Sequence, residues 1–319
     1  METNTPQTLQ EAIRYFTDPD VCLKFVVELC WPTGPVCPRC QGQNLSFLST
    51  RRLWKCKACK KQFSVKVGTI FEDSPLGLDK WLAAIWLIAN AKNGISSWEI
   101  HRAIGITQKS AWHMLHRIRL AMQTGTFEKM GGTVEADETF IGGKARNMHK
   151  SKRERKITGT GGSGKSIVMG LLERHGPDKV SRVKVKVVPN NRKGTVQTEI
   201  RANVQPGSEV FTDALKSYEG LDPDYVHDSI DHAERYVNGR VHTNGMENFW
   251  SLLKRAIKGT YVSVEPWHLF RYLDEEAFRF NERIGNDTER FLDVVKGIVG
   301  KRVTYAKLTG KELLPGLSG

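Results

Sequence analysis

Three acidic residues could do chemistry together: Asp137, Asp213 and Glu247. Asp137 sits in Gly132-Thr-Val-Glu-Ala-Asp-Glu-Thr-Phe-Ile-Gly-Gly-Lys144. Val134, Ala136, Phe140 and Ile141, with the Gly-Gly turn, make this a short strand. A carboxylate at the centre of a strand is costly to bury unless it is paired or holds a metal. Strand alternation puts its neighbours Ala136 and Glu138 on the opposite face. The competing expectation is an edge strand with solvated acids. Asp213 closes a second strand, Ser208 to Asp213, before a helical turn from Ala214 to Tyr218, and taken alone it reads equally well as a helix N-cap. Glu247 lies on a helix that opens at Asn244. Asn244 shares its face three positions earlier and Lys254 two turns later. Acids on strand, strand and helix can hold two divalent cations about 3.5–4 Å apart, the arrangement of phosphoryl-transfer sites. Hard carboxylate oxygens suit Mg2+ or Mn2+.

Four cysteines offer a second site. Cys37-Pro-Arg-Cys40 and Cys56-Lys-Ala-Cys59 are two C-x2-C knuckles with fifteen residues between them. That spacing predicts a structural Zn2+ on four thiolates. Cys22 and Cys30 fall on or beside the apolar side of a helix and read as buried structural thiols. From Arg51 to Lys66 there are seven Lys and Arg and no acid. Trp54 and Phe63 interleave with these bases, which predicts contact with nucleic acid.

The elements that must carry these residues follow from periodicity. Residues 1–35 read as two short helices and 36–66 as the zinc ribbon. Residues 67–127 read as a helical module. Asp79 caps a helix to about Lys92, Ser96-Ser-Trp-Glu99 is a capping box, and Gly105-Ile-Thr107 turns into a third helix from Gln108 to Gln123. Helix, short glycine turn, helix is the helix-turn-helix pattern. It would offer Gln108, Lys109 and His113 to base edges and Arg117 or Arg119 to phosphates. Residues 128–319 read as one further domain, with strands Ser166–Arg174 and Ser181–Pro189, a helix Arg192–Asn203 and a last helix Pro266–Arg283. Gly159-Thr-Gly-Gly-Ser-Gly-Lys-Ser166 satisfies G-x-x-x-x-G-K-[ST]. A phosphate-binding loop must open a helix, whereas Ile167 to Leu172 reads as a strand, so a cationic hairpin loop is expected there.

The 319 residues carry a net charge of +13, which argues for a polyanionic partner, nucleic acid first. The most apolar run, Trp81 to Ala91, is shorter than the roughly 20 residues a bilayer span needs. The N-terminus lacks the form of a signal peptide, which predicts a cytoplasmic protein.

Taken in order, the ribbon, the helical module, Asp137-Glu-Thr-Phe-Ile-Gly-Gly-Lys144, Phe211-Thr-Asp213 and His242-Thr-Asn-x-x-Glu-Asn-Phe-Trp-Ser-x-Leu-Lys-Arg255 resemble the DDE transposases of bacterial insertion sequences, in the ISXO-like group. Gly68-Thr-Ile-Phe71 ahead of the helices is similar to that group too. The resemblance covers nearly the whole chain. It implies a multidomain protein in which a zinc ribbon and helix-turn-helix module precede an α/β ribonuclease-H-like catalytic domain. It also implies transposition of DNA by a nucleoid-associated homo-oligomer on transposon ends and target. Asp137, Asp213 and Glu247 match the catalytic positions. In parts of the group the third position is an asparagine, which here would be Asn244. Glu247 is preferred because an anion binds metal better than an amide and because Lys254 sits at the matching offset. A non-catalytic DNA-binding regulator and an ATPase are the alternative readings.

Overall fold

The structure is a computed structural model, and it describes residues 5–123, 128–143, 145–157, 162–174, 176, 180–213, 215–222, 224–230 and 241–311. The chain forms two units, residues 1–124 with 285–319, and residues 125–284.

The first unit opens with helices α1 (Leu9–Tyr15) and α2 (Pro19–Cys30), capped by Thr8 and Asp18. The ribbon follows as an antiparallel sheet of β1 (Leu45–Leu48), β2 (Leu53–Cys56) and β3 (Gln62–Phe63). Helices α3 (Leu78–Asn90), α4 (Ser97–Ile104) and α5 (Gln108–Met122) come next. Ser96 and Glu99 form the expected capping box. Gly105 takes φ +65°, a left-handed conformation that lets α4 stop and the chain turn to Thr107, the N-cap of α5.

The second unit is built on a five-stranded sheet of β4 (Thr133–Ile141), β5 (Ser166–Glu173), β6 (Arg182–Val188), β7 (Glu209–Asp213) and β8 (Val226–Ile230). Its order is β6-β5-β4-β7-β8. The pairs β4–β5 and β5–β6 are antiparallel, while β4–β7 and β7–β8 are parallel. Strand β4 is therefore central, which rules out the solvated edge. Helix α6 (Lys150–Lys156) lies between β4 and β5, and α7 (Lys193–Asn203) between β6 and β7. One sheet face packs Val134, Ala136 and Val210 against Val196 and Ile200 of α7. The other packs Val168, Leu172 and Val183 against α8 (Asn244–Gly259) and α9 (Leu269–Asn281). The expected alternation of Val183, Val185 and Val187 is this second face.

The chain after residue 284 belongs to the first unit, so the single domain expected over 128–319 ends earlier. Helix α10 (Asp287–Lys296) packs on α3 and α5, and its Phe291 meets Phe16, Phe25 of α2 and Trp86 of α3. Arg290 Nε donates to Asn90 Oδ1 at 2.9 Å. The short α11 (Tyr305–Leu308) closes the described chain. An amphipathic stripe predicts a helix but does not name the surface that will cover it. Among the described residues no helix is long and apolar enough to cross a membrane.

Candidate active site

Parallel pairing of β4 with β7 runs Thr133 to Glu209, Val134 to Val210 and Glu135 to Phe211. The same increment sets Asp137, in the middle of β4, level with Asp213 at the end of the adjacent β7, on one face. Glu138 starts on the opposite face, as alternation requires. The β4–β7 ladder has stopped at Glu135, however, before either Glu138 or Asp213 is reached. One carboxylate oxygen each from Asp137, Glu138 and Asp213 all lie within 4.8 Å of one another. Sequence reasoning missed Glu138 because it counted faces and not the end of the ladder.

Helix α8 supplies the facing wall. Gly170 on β5 pairs with Asp137, and a Cβ there would stand 2.2 Å from Met246 Cε and 2.7 Å from the Trp250 ring. The absent side chain lets α8 lie close on the sheet. Trp250 Nε1 then donates to Asp137 Oδ2 at 2.9 Å. Glu247 lies one turn before Trp250 and, with Asp137, Glu138, Thr139, Ser251, Lys254, Arg255 and Lys258, lines a cleft of about 580 Å³. Asn244 is exposed at the helix start and is not among the lining residues. Lys254 was foreseen. Arg255 and Lys258 were not, although their spacing from Ser251 marks the same helix face.

The electrostatics suit a cation. Burial pushes the Asp137 carboxyl up to about 6, opposed by the Trp250 hydrogen bond and reinforced by Asp213 and Glu247. Burial likewise pushes Glu138 up to about 7, and the charges of Asp213 and Asp137 add to the rise. Tyr218, fully buried beside these acids, titrates far above its usual value through burial and their field. Hard oxygen donors, a desolvated setting and mutual repulsion that a divalent charge would relieve are what an Mg2+ or Mn2+ site requires. Asp137, Glu138 and Asp213 would hold such an ion, with Glu247 facing them.

The four ribbon cysteines also converge. Cys37 Sγ lies 3.7 Å from Cys59 Sγ, and Cys40 Sγ lies 3.5 Å from Cys56 Sγ. A tetrahedral zinc with Zn–S of about 2.3 Å has S···S edges of about 3.8 Å, so the four fit Zn2+. The residue after each knuckle, Gln41 and Lys60, turns back in the left-handed region at φ 59° and 60°.

Residues 129–281 match the ISXO2-like transposase domain, and residues 17–62 match the transposase zinc-ribbon domain. An uncharacterized transposase-like protein of Haemophilus influenzae is 33% identical over 118 residues, covering 36% of this chain and 95% of its own length. The chain belongs to the ISXO2-like transposase family. An uncharacterized protein in transposable element ISH50 of Halobacterium salinarum is 26% identical over 255 residues, 76% of this chain and 84% of that one. The transposase domain matched is the sheet unit that carries the acids, and the ribbon match contains all four cysteines.

The remaining expected contacts of this transposase divide sharply. Lys109 is exposed, its Nζ 4.7 Å from the centre of the Tyr305 ring. His113 is half-buried, edge-on to the same ring. Arg117 is not at a phosphate. It is 4% exposed, donates to the Glu72 carbonyl and covers the Trp81 ring. Arg119 is 1% exposed. Helix α5 is covered on more than its one apolar stripe, by α4 and α10 as well as α3, and the arginines go inside with it. Trp54 and Phe63 are also buried, stacked on each other and edge-on to Trp31, so they are ribbon core and do not stack on bases. The exposed ribbon cations are Arg39, Arg51, Arg52, Lys55, Lys57, Lys60 and Lys61, with Arg52 engaged by Asp20 at 2.6 Å. Lys66 is turned inward to the carbonyls of Ser74 and Leu76. The part of the glycine-rich loop over 158–161 lies outside the described residues. Its last residue, Ser166, opens strand β5 and not a helix, so the phosphate-loop reading has no support.

Proposed function

We propose that this protein is a metal-dependent DNA transposase that cleaves at the ends of its element and joins the freed 3′-hydroxyls to target DNA. The observation that carries the reading is the cleft itself. Asp137 and Glu138 line one wall, with an Asp213 oxygen within 4.8 Å of theirs, and Glu247 with three cations lines the other. The strand order, three antiparallel strands followed by two parallel ones with helices on both faces, supports a ribonuclease-H-like core. Bound divalent cations would supply an activated oxygen nucleophile and neutralise the leaving oxygen.

The chain's own groups do the rest. Trp250 fixes the direction of one Asp137 oxygen. Lys254, Arg255 and Lys258 follow one face of α8 and would take successive phosphates, so that the scissile one lies over the acids. Thr139 on the β4 wall and Ser251 on the α8 wall offer hydroxyls to the cleft. Sequence-independent affinity would come from the ribbon cations, and Lys109 at the exposed start of α5 would reach the duplex. The test is cleavage of the DNA that flanks the gene, in Mg2+, by wild type and Asp137→Asn. Cleavage by wild type alone supports the proposal. Tight DNA binding with no cleavage by either would favour the non-catalytic regulator.

A further inference from the structure

Helix α8 begins without a cap of its own. Its N-cap, Thr243, makes no side-chain capping bond. The acceptor comes from strand β4. Glu135 Oε2 accepts from Met246 N at 2.9 Å. Met246 is the third residue of the helix, where an amide has no intrahelical partner. The other oxygen of Glu135 is held by Arg174 Nε at 2.6 Å, and the Glu135 side chain is 1% exposed. Arg174 Nη2 reaches the His242 carbonyl at 2.6 Å, and the guanidinium lies over Phe211, the β7 partner of Glu135. One ion pair, with Glu135 buried and Arg174 partly buried, thus ties β4, β7, the residue after β5 and the start of α8.

The contact is also sterically matched. A Cβ on Gly245 would stand 2.9 Å from Glu135 Oε2 and 3.0 Å from Oε1. Only glycine lets the helix start approach this closely. Glu135 precedes Asp137 by two residues on the same strand face, and Met246 directly precedes Glu247. The two walls of the cleft are therefore joined one step from the acids they present. A serine or aspartate cap would satisfy the helix as well, and a buried ion pair is a weak source of net stability. What the charged pair adds is a single direction and register for the helix. We infer that Glu135, held by Arg174, is a positioning residue that sets where Glu247 and Lys254 face Asp137, an inference that rests on the metal-dependent reading of the cleft.

The test is a double-mutant cycle on the full chain, read by binding of Mn2+ alone and by hydrogen exchange. Glu135→Gln keeps the size, but its amide nitrogen must face one of two donors, Arg174 Nε or Met246 N. Exchange in the first turn of α8 should quicken at least tenfold. Glu247→Gln should weaken Mn2+ binding at least tenfold in the wild-type background and less than twofold beside Glu135→Gln. Gly245→Ala, which pushes the helix start away with no change of charge, should have the same effect, and it carries the comparison if Glu135→Gln does not fold. An equal loss from Glu247→Gln in every folded background would overturn the inference and leave the metal site standing. A wild type that binds no Mn2+ would remove the reading of the cleft, and the positioning role with it.

Discussion

Trp250 Nε1 donates to Asp137 Oδ2 across 2.9 Å, so one residue both fills the core beneath α8 and holds a candidate metal ligand. This hydrogen bond favours the charged form of a carboxyl that burial pushes up to about 6. In Trp250→Phe the opposing influence is gone and the carboxyl must rise further. Half-saturation with Mn2+ at a fixed concentration should therefore move to higher pH, with cleavage reduced about tenfold near neutrality. The lost hydrogen bond and smaller ring should also cost about 1–2 kcal/mol of stability. A pH titration of Mn2+ binding checks the first claim. An unshifted profile in a folded variant would show that the indole only packs.

The paired acids predict how the metal-free protein responds to pH. Asp137 and Glu138 titrate at about 6 and about 7 when folded, above their ordinary values of 3.8 and 4.5. Between about pH 4 and 7 the folded state holds protons that the unfolded chain has released. Stability is then lost as pH rises through that window, by about 3 kcal/mol given that the two sites share their repulsion. In Mg2+-free buffer the thermal midpoint of wild type should fall from pH 5 to pH 8. Added Mg2+ should restore it at pH 8. The double variant Asp137→Asn, Glu138→Gln should lose most of both effects. The same fall in that variant would place the titration elsewhere.

The ribbon depends on metal in a different way. Four thiols with S···S distances of 3.5 and 3.7 Å across two knuckles close a small three-stranded sheet whose other core is the Trp31, Trp54 and Phe63 cluster. In such modules metal binding is folding free energy. Cys56→Ser should carry less than a tenth of the wild-type zinc and lose protection in β1 to β3, while residues 125–284 keep theirs. Equal zinc by elemental analysis in both proteins would refute the site.

Much of this was legible because the informative features are local. Two C-x2-C knuckles need only their spacing, and β4 and α8 announce themselves by period. What escaped was set by distant partners. Glu138 joins the acids because the β4–β7 ladder ends at Glu135, which no reading of β4 alone can show. Helix α8 is capped by a strand residue more than a hundred positions away. Strand β8, parallel to β7 at the edge, carries the polar sequence Val-His-Asp-Ser-Ile and shows no apolar run. Arg117 resembles a phosphate ligand until the Glu72 carbonyl and the Trp81 ring are seen to claim it.

The division of labour between acids and bases gives the most direct test. Affinity for DNA should come from Lys and Arg contacts with phosphate, whereas the acids should serve only the cations. Asp137→Asn, Asp213→Asn and Glu247→Gln should each lower cleavage at least a hundredfold, with DNA affinity unchanged or slightly tighter because a negative charge has left the cleft. Glu138→Gln should cost at least tenfold, since its oxygen lies in the same cluster as those of Asp137 and Asp213. Asn244→Ala should cost less than any of these, because Glu247 lines the cleft and Asn244 does not. Lys254→Ala should instead weaken DNA binding and reduce its salt dependence by about one phosphate contact. Single-turnover cleavage in Mg2+, at DNA concentrations that saturate each folded variant, separates the two groups. An inactive Asn244→Ala beside an active Glu247→Gln would move the third ligand to the start of the helix.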